Sequence, residues 1–92
     1  MAALNIFTLN INGLRSTDRI NYLKNFIKSN NIDILCIQET HINNYNSAKN
    51  IDKILNLENK IIWSYSNGRS AGVATIVVND LIKMDKFNCD FE

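Results

Sequence analysis

Hydrophobic and polar residues alternate with two different periods along the chain, and the strand-like period marks four stretches. Each stretch is rich in β-branched and other apolar residues, and Asn, Gly or Ser residues near its ends favour turns. They cover residues 4–9, 32–37, 60–65 and 71–78. The second is apolar except for Asp33, which is typical of a strand covered on both faces. A looser alternation over residues 84–91 predicts the beginning of a fifth strand.

Helical spacing is found between the first two strands and, more weakly, after the second. The apolar positions of the first helix are Ile20, Leu23, Phe26 and Ile27. Ser16 or Thr17 can cap its start, and Asp18 favours its positive N-terminal end. The polar, Asn-rich residues 43–50 predict a loop that leads into a second, weak helix over residues 48–57.

The order of these elements predicts one α/β domain over residues 1–92, with a mixed sheet. A strand–helix–strand unit is expected to place its two strands side by side in parallel. The next two strands are separated by the turn at residues 66–70 and predict an antiparallel hairpin.

The amino-acid composition limits the classes of function that the chain can have. The 92 residues are 46% hydrophobic and 21% charged, which is typical of a globular protein. Ten Lys and Arg residues face nine Asp and Glu residues, so any nucleic-acid binding must depend on local charge. The two cysteines do not make a disulfide framework, which favours a reducing, intracellular compartment, and they lack zinc-binding spacing, which argues against structural zinc. The sequence contains no predicted membrane span or signal peptide.

Polar side chains follow the first two predicted strands where each strand ends. Asn10 and Asn12 follow the first, and Glu39 and His41 follow the second. Parallel strands end at the same edge of a sheet, where ligands bind in α/β proteins. Carboxylate and amide oxygens suit Mg²⁺ or Mn²⁺. A structural interpretation stays open, in which the Asn residues form turns, Glu39 caps a loop and His41 only packs.

Three motifs in this order resemble the endonuclease/exonuclease/phosphatase superfamily. They are T-L-N-I-N-G-L at residues 8–14, C-I-Q-E-T-H at residues 36–41 and A-G-V-A-T-I-V-V at residues 71–78. The residues of these motifs are most similar to those of the endonuclease domain of LINE-type (non-LTR) retrotransposon proteins. Those domains are related to apurinic/apyrimidinic endonucleases. The resemblance implies the N-terminal portion of a DNase I-like four-layer αββα sandwich.

The resemblance also implies roles for individual residues. Asn10 matches an active-site Asn that orients catalytic groups and the substrate phosphate, and Glu39 matches the metal-binding Glu. Asn12, where repair enzymes carry Asp, and His41 are accessory candidates. Arg15 and Arg69 match positions that approach DNA. The expected cofactor is Mg²⁺ or Mn²⁺.

The implied activity is metal-dependent nicking of DNA, which primes reverse transcription in such elements. The expected partners are DNA, the remainder of the endonuclease domain and a reverse transcriptase, in the nucleus if genomic DNA is the substrate. The family's Tyr, Asp-x-Asn pair, later Asp and closing Ser-Asp-His have no match in the chain, so we expect no hydrolysis by it alone. A non-catalytic remnant and a phosphoesterase acting on a small phosphate or lipid head group are the alternatives.

Overall fold

The computed structural model describes residues 3–67 and 71–82, which form four strands and two helices. In chain order these are β1 (Ile6–Asn10), α1 (Thr17–Ser29), β2 (Ile34–Gln38), α2 (Tyr45–Leu55), β3 (Ile61–Ser64) and β4 (Val73–Val77). This succession confirms the predicted α/β order. The strand predicted over residues 84–91 lies outside the described residues. No helix in the described ranges has the length and apolar character needed to cross a membrane.

The described strands form one mixed sheet in the order β1-β2-β4-β3. β1 and β2 are parallel, and β4 is antiparallel to both β2 and β3. One row of the register joins Asn10, Gln38, Val73 and Ser64 across the whole sheet. This row and the loop residues that adjoin it are called the rim below. The carboxyl ends of β1, β2 and β3 all lie at the rim.

α1 connects the two parallel strands, and its start follows the predicted capping pattern. Ser16 is extended, and its side chain accepts a hydrogen bond from the backbone N–H of Arg19 at 3.2 Å. Asp18 lies in the first turn and Lys28 in the last, which suits the helix dipole. Ile20 and Leu23 face inward and are buried. The cap and the apolar face together fix how α1 leaves the rim.

α2 begins earlier than its composition suggests. The side chain of Asn44 accepts a hydrogen bond from the backbone N–H of Ser47 at 2.8 Å, so the helix starts at Tyr45 within the Asn-rich stretch. It ends at Leu55 and is capped by Asn56, whose left-handed backbone has a φ of 58°. The predicted loop over residues 43–50 is therefore largely helical, because Asn44 acts as a cap.

Both helices contribute to one core on a single face of the sheet. The buried side chains of this core include Leu23 from α1, Ile51 from α2, and Leu35 and Ile76 from the sheet. On the other face Ile6 is 59% exposed and Cys36 is partly exposed. The sequence predicts that β2 is covered on both faces, but within the described residues only one face is covered. The αββα layering remains a prediction.

Candidate functional site at the rim

The loop after β1 runs alongside the end of β2 and extends the parallel pairing beyond the strands. The backbone N–H of Ile11 donates to the carbonyl of Gln38 at 3.1 Å, and that of Gly13 donates to the carbonyl of Glu39 at 2.7 Å. The N–H of Leu14 donates to the carbonyl of Thr40 at 2.9 Å. These bonds hold the two polar segments found in the sequence side by side.

Several residues of these segments have left-handed backbone conformations. The φ angles of Asn12, Glu39 and His41 are 54°, 57° and 60°, and that of Gly13 is 101°. Asn and Gly adopt this region readily, whereas a residue such as Glu is held there at a cost of about 1–3 kcal/mol. Strain of this kind is concentrated at functional sites in proteins. Here it turns the end of β2 away from a regular extended path.

The structure brings Asn10 and Glu39 into direct contact. The amide Nδ2 of Asn10 donates a hydrogen bond to Oε2 of Glu39 at 2.5 Å. Its Oδ1 accepts from the backbone N–H of Asn12 at 3.1 Å, so both ends of the amide are used. This pairing assigns the orientation of the amide and makes Asn10 a donor toward Glu39. The expected meeting of the two strand ends is confirmed, although Asn10 offers an N–H rather than an oxygen ligand.

Glu39 retains free acceptor capacity and has no cationic partner in the described ranges. The one ion pair found there joins Lys60 to Asp80. An ionised carboxylate accepts about four hydrogen bonds or metal contacts, and Asn10 uses one of them. Such a group suits Mg²⁺, which commonly takes one or two protein carboxylates and keeps several waters. Among the described residues no three His, Cys, Asp or Glu side chains form a metal-binding group, so Glu39 would be a single protein anchor.

Arg15 and His41 are brought together on the side of the rim next to α1. Nε of Arg15 donates to the backbone carbonyl of His41 at 2.9 Å. The imidazole lies over Gly13, where an added Cβ would be 3.2 Å from Nδ1. Arg15 and His41 line an open cleft of about 280 Å³ together with Arg19. The cleft therefore carries positive charge on the α1 side of the rim, while Arg69 lies outside the described residues.

Thr40 and Gly72 support the site and were not singled out from the sequence. Thr40 is fully buried between Glu39 and His41, and its Oγ1 accepts from the N–H of Ile42 at 3.3 Å. Gly72 has a φ of 81°, and an added Cβ would lie 2.8 Å from Oγ1 of Thr40. Both residues lie in the motifs at residues 36–41 and 71–78, but the motifs alone do not predict that the two residues pack against each other.

Asp52 is a second acidic residue that sequence analysis missed. It is 6% exposed, and its Oδ1 accepts a hydrogen bond from Nε1 of Trp63 at 2.9 Å. Burial raises the pKa of Asp52, against the opposing effects of the Trp63 hydrogen bond and the charge of Lys49. No pattern in the sequence of α2 predicts that an Asp faces inward onto a Trp of the next strand.

A mixed α/β sheet with polar groups at the carboxyl ends of its parallel strands is typical of ligand-binding α/β domains. The chain belongs to the endonuclease/exonuclease/phosphatase family, whose model matches residues 7–87. This match confirms the resemblance at family level and indicates a nuclease- or phosphoesterase-type domain. The family is generally dependent on divalent metals. No curated protein matches the chain significantly.

Proposed function

We propose that this chain supplies the metal-anchoring part of a Mg²⁺-dependent endonuclease domain that nicks DNA phosphodiester bonds. The observation that carries the proposal is the hydrogen bond of 2.5 Å between Asn10 and Glu39 at the carboxyl ends of two parallel strands. Family membership supplies the reaction class. The motif sequences at residues 8–14 and 36–41 favour a LINE-type element and, with it, a reverse transcriptase as partner.

Glu39 holds the cation in this proposal, and Asn10 orients its carboxylate. Because Asn10 occupies Oε2, the other oxygen is the one free to bind Mg²⁺. A bound Mg²⁺ would neutralise charge on the scissile phosphate. The backbone N–H of Asn12 donates to Oδ1 of Asn10, and this hydrogen bond fixes the orientation of the amide that contacts Glu39. The strained backbone at Glu39 supports the proposal, because strain of this kind is concentrated at functional sites.

Arg15 provides the contact with the DNA backbone. Its Nε is held by the His41 carbonyl, which leaves both terminal guanidinium nitrogens for a phosphate. Arg19 and the N-terminal end of α1 add positive potential on the same side. Binding through so few cations is expected to be weak and strongly reduced by salt.

Binding of Mn²⁺ followed by NMR tests the anchor. Paramagnetic broadening is expected first at the backbone amides of Asn10, Glu39 and Thr40, at millimolar ion concentrations since one carboxylate is involved. Glu39→Gln should abolish it. Glu58→Gln, a change of an exposed carboxylate away from the rim, should leave it intact. Broadening that persists in Glu39→Gln, or that is centred elsewhere, would contradict the proposal.

A plasmid-nicking assay tests the catalytic competence of this chain. We expect no nicking with Mg²⁺, because the rim offers one carboxylate and the described residues contain no group of three metal-binding side chains. Robust nicking that Glu39→Ala abolishes would show that the 92 residues already hold a complete site. A longer protein that contains this chain should nick DNA and lose that activity on the same change.

A further inference from the structure

A second cleft lies between α2 and β3, and its lining is aromatic. Its volume is about 250 Å³. The residues that matter for its chemistry are Tyr45, Lys49, Asp52, Asn59, Trp63 and Tyr65. We call it the aromatic cleft. None of these residues belongs to the Asn10–Glu39 site, and the proposed reaction does not use them.

The aromatic rings of this cleft are open to a ligand. Tyr45 is 61% exposed and Tyr65 is 40% exposed. Within the described part of the chain their rings stack neither on each other nor on Trp63; the ring pairs found there involve Phe7, Tyr22 and Phe26. Three neighbouring rings without mutual stacking leave faces on which a planar ligand can lie.

Polar groups surround these rings. The carboxyl of Asp52 lies buried beside Trp63, and the Trp63 Nε1 hydrogen bond fixes its orientation. Lys49 places its ammonium group 5.8 Å from the centroid of the Tyr45 ring. The cleft thus combines flat apolar walls, a fixed hydrogen-bonding group and a cation at its mouth.

One end of the aromatic cleft, at Tyr65, lies at the same edge of the sheet as the rim. Ser64 is in register with Val73, which pairs with Gln38, so Tyr65 leaves β3 at the same end of the sheet as Glu39. The N–H of Ser66 donates to the carbonyl of Ile42 at 2.8 Å, which ties the two loops together. A strand of nucleic acid that crosses the rim at Glu39 can therefore reach the cleft.

We propose that the aromatic cleft binds an unpaired nucleobase of the nucleic-acid substrate, stacked on Tyr65 and Tyr45. The inference rests on the proposed function for the identity of the substrate as nucleic acid. Stacking on aromatic rings is tolerant of base identity, since every base has a π-face. Lys49 would meet the adjoining phosphate, and Asp52 and Asn59 would meet the polar edge of the base. A duplex end or a distorted site would supply such a base.

Trp63 provides the probe, because it is the one tryptophan of the chain. Its fluorescence is followed during titration with a short single-stranded oligothymidylate, in the presence of a chelator so that no metal is needed. Saturable quenching is expected with this strand. A strand of equal length built from abasic sites should bind weakly and leave the fluorescence unchanged. Equal quenching by the abasic strand would overturn the proposal.

Matched tyrosine variants locate the binding. Tyr65→Ala should weaken binding of the oligothymidylate by about 10-fold, in keeping with the loss of one stacked base. Tyr65→Phe keeps the ring and should bind like the wild type. Tyr22→Ala is the control, since Tyr22 is 50% exposed on α1 and lies outside the cleft. Tyr65→Ala that retains full affinity, or Tyr65→Phe that loses it, would exclude base stacking.

Glu39→Gln separates this proposal from the proposed function. It should lose Mn²⁺ broadening and keep the oligothymidylate quenching, because the cleft does not depend on the metal. If the wild type shows Mn²⁺ broadening but its fluorescence is not quenched by the oligothymidylate, the cleft proposal alone is wrong. Quenching without Mn²⁺ binding at Glu39 would leave a nucleic-acid contact and remove the nuclease assignment.

Discussion

Two carboxylates flank β2, and the protein uses them in opposite ways. Asp33 precedes the strand, and both of its oxygens are occupied. The backbone N–H of Asn5 donates to Oδ2 at 2.7 Å, and Nδ2 of Asn79 donates to Oδ1 at 2.9 Å. Glu39 follows the strand and receives one side-chain hydrogen bond from Asn10. The fold supplies a hydrogen bond to each oxygen of the first carboxylate, whereas the second carboxylate has one oxygen without such a bond.

The difference arises from the chain segments around each group. Asp33 lies between the start of β1 and the end of β4, which flank β2; its carbonyl also accepts from the N–H of Val78 at 2.8 Å. The hydrogen bond from the Asn5 backbone N–H, and then the one from the Asn79 side chain, lower the pKa of Asp33. At the rim the chain instead turns through left-handed residues, which hold the Glu39 carboxylate toward one amide. We interpret Asp33, with a hydrogen bond on each oxygen, as a structural acid, and Glu39, with one free oxygen, as a candidate metal ligand.

Removing the two acids should therefore affect stability very unequally. Asp33→Ala leaves the Asn5 N–H and the Asn79 amide without their partner and should lower the Tm by about 5–10 °C. Glu39→Ala should change the Tm by less than about 2 °C, because one exposed hydrogen bond is lost. Thermal unfolding followed by circular dichroism measures both. Equal losses would show that Glu39 is as structural as Asp33.

The pH dependence of unfolding sharpens the same contrast. The pKa of Asp33 is lowered from 3.8 in the folded protein, so its contribution is present above that pH and is lost as the pH falls through the folded value. The difference in unfolding free energy between wild type and Asp33→Asn should be constant above about pH 5 and shrink at lower pH. Denaturant titrations across this range measure it. A difference that persists unchanged in acid would assign the role of Asp33 to packing.

The contact between Asn10 and Glu39 at the rim could be predicted from the sequence, whereas the partners of Asp33 could not. Parallel pairing of the first two strands followed from the strand–helix–strand pattern, and it was enough to place Asn10 beside Glu39. The partners of Asp33 are 28 and 46 residues away in sequence. No local pattern links residues at such separations. Asp33 therefore appeared only as an interruption of an apolar run.

The left-handed backbone at the rim was predictable in part. Asn12 and Gly13 are residues that adopt positive φ readily, so a turn there follows from composition. Glu39 and His41 have no such preference, and their conformations of 57° and 60° are imposed by hydrogen bonds to the loop after β1 and to residues 71–72. Local propensity is overridden by tertiary contacts at these two positions, which are also the positions of interest for function.

Replacement of Glu39 by Gly tests whether the rim stores strain. Gly adopts a φ of 57° at no steric cost, so Glu39→Gly should raise the free energy of unfolding by about 1 kcal/mol while Mn²⁺ binding disappears. Asn12→Gly is the matched control and should be close to neutral, because Asn tolerates this region. Denaturant unfolding measures both variants. A destabilised Glu39→Gly would show that the side chain contributes more through Asn10 than its backbone costs.

The smallest expected effect concerns the tether of Arg15. Arg15→Lys keeps the charge but loses the Nε hydrogen bond to the His41 carbonyl, which orients the guanidinium. Affinity for a short DNA duplex should fall by about 2- to 3-fold at low salt, since one ordered phosphate contact becomes flexible. Arg19→Lys is the control, because the Arg19 side chain makes no hydrogen bond or ion pair with any residue of 3–67 or 71–82. Fluorescence anisotropy measures both, and an Arg15→Lys variant that binds as tightly as the wild type would mean that charge alone, without orientation by the rim, attracts DNA.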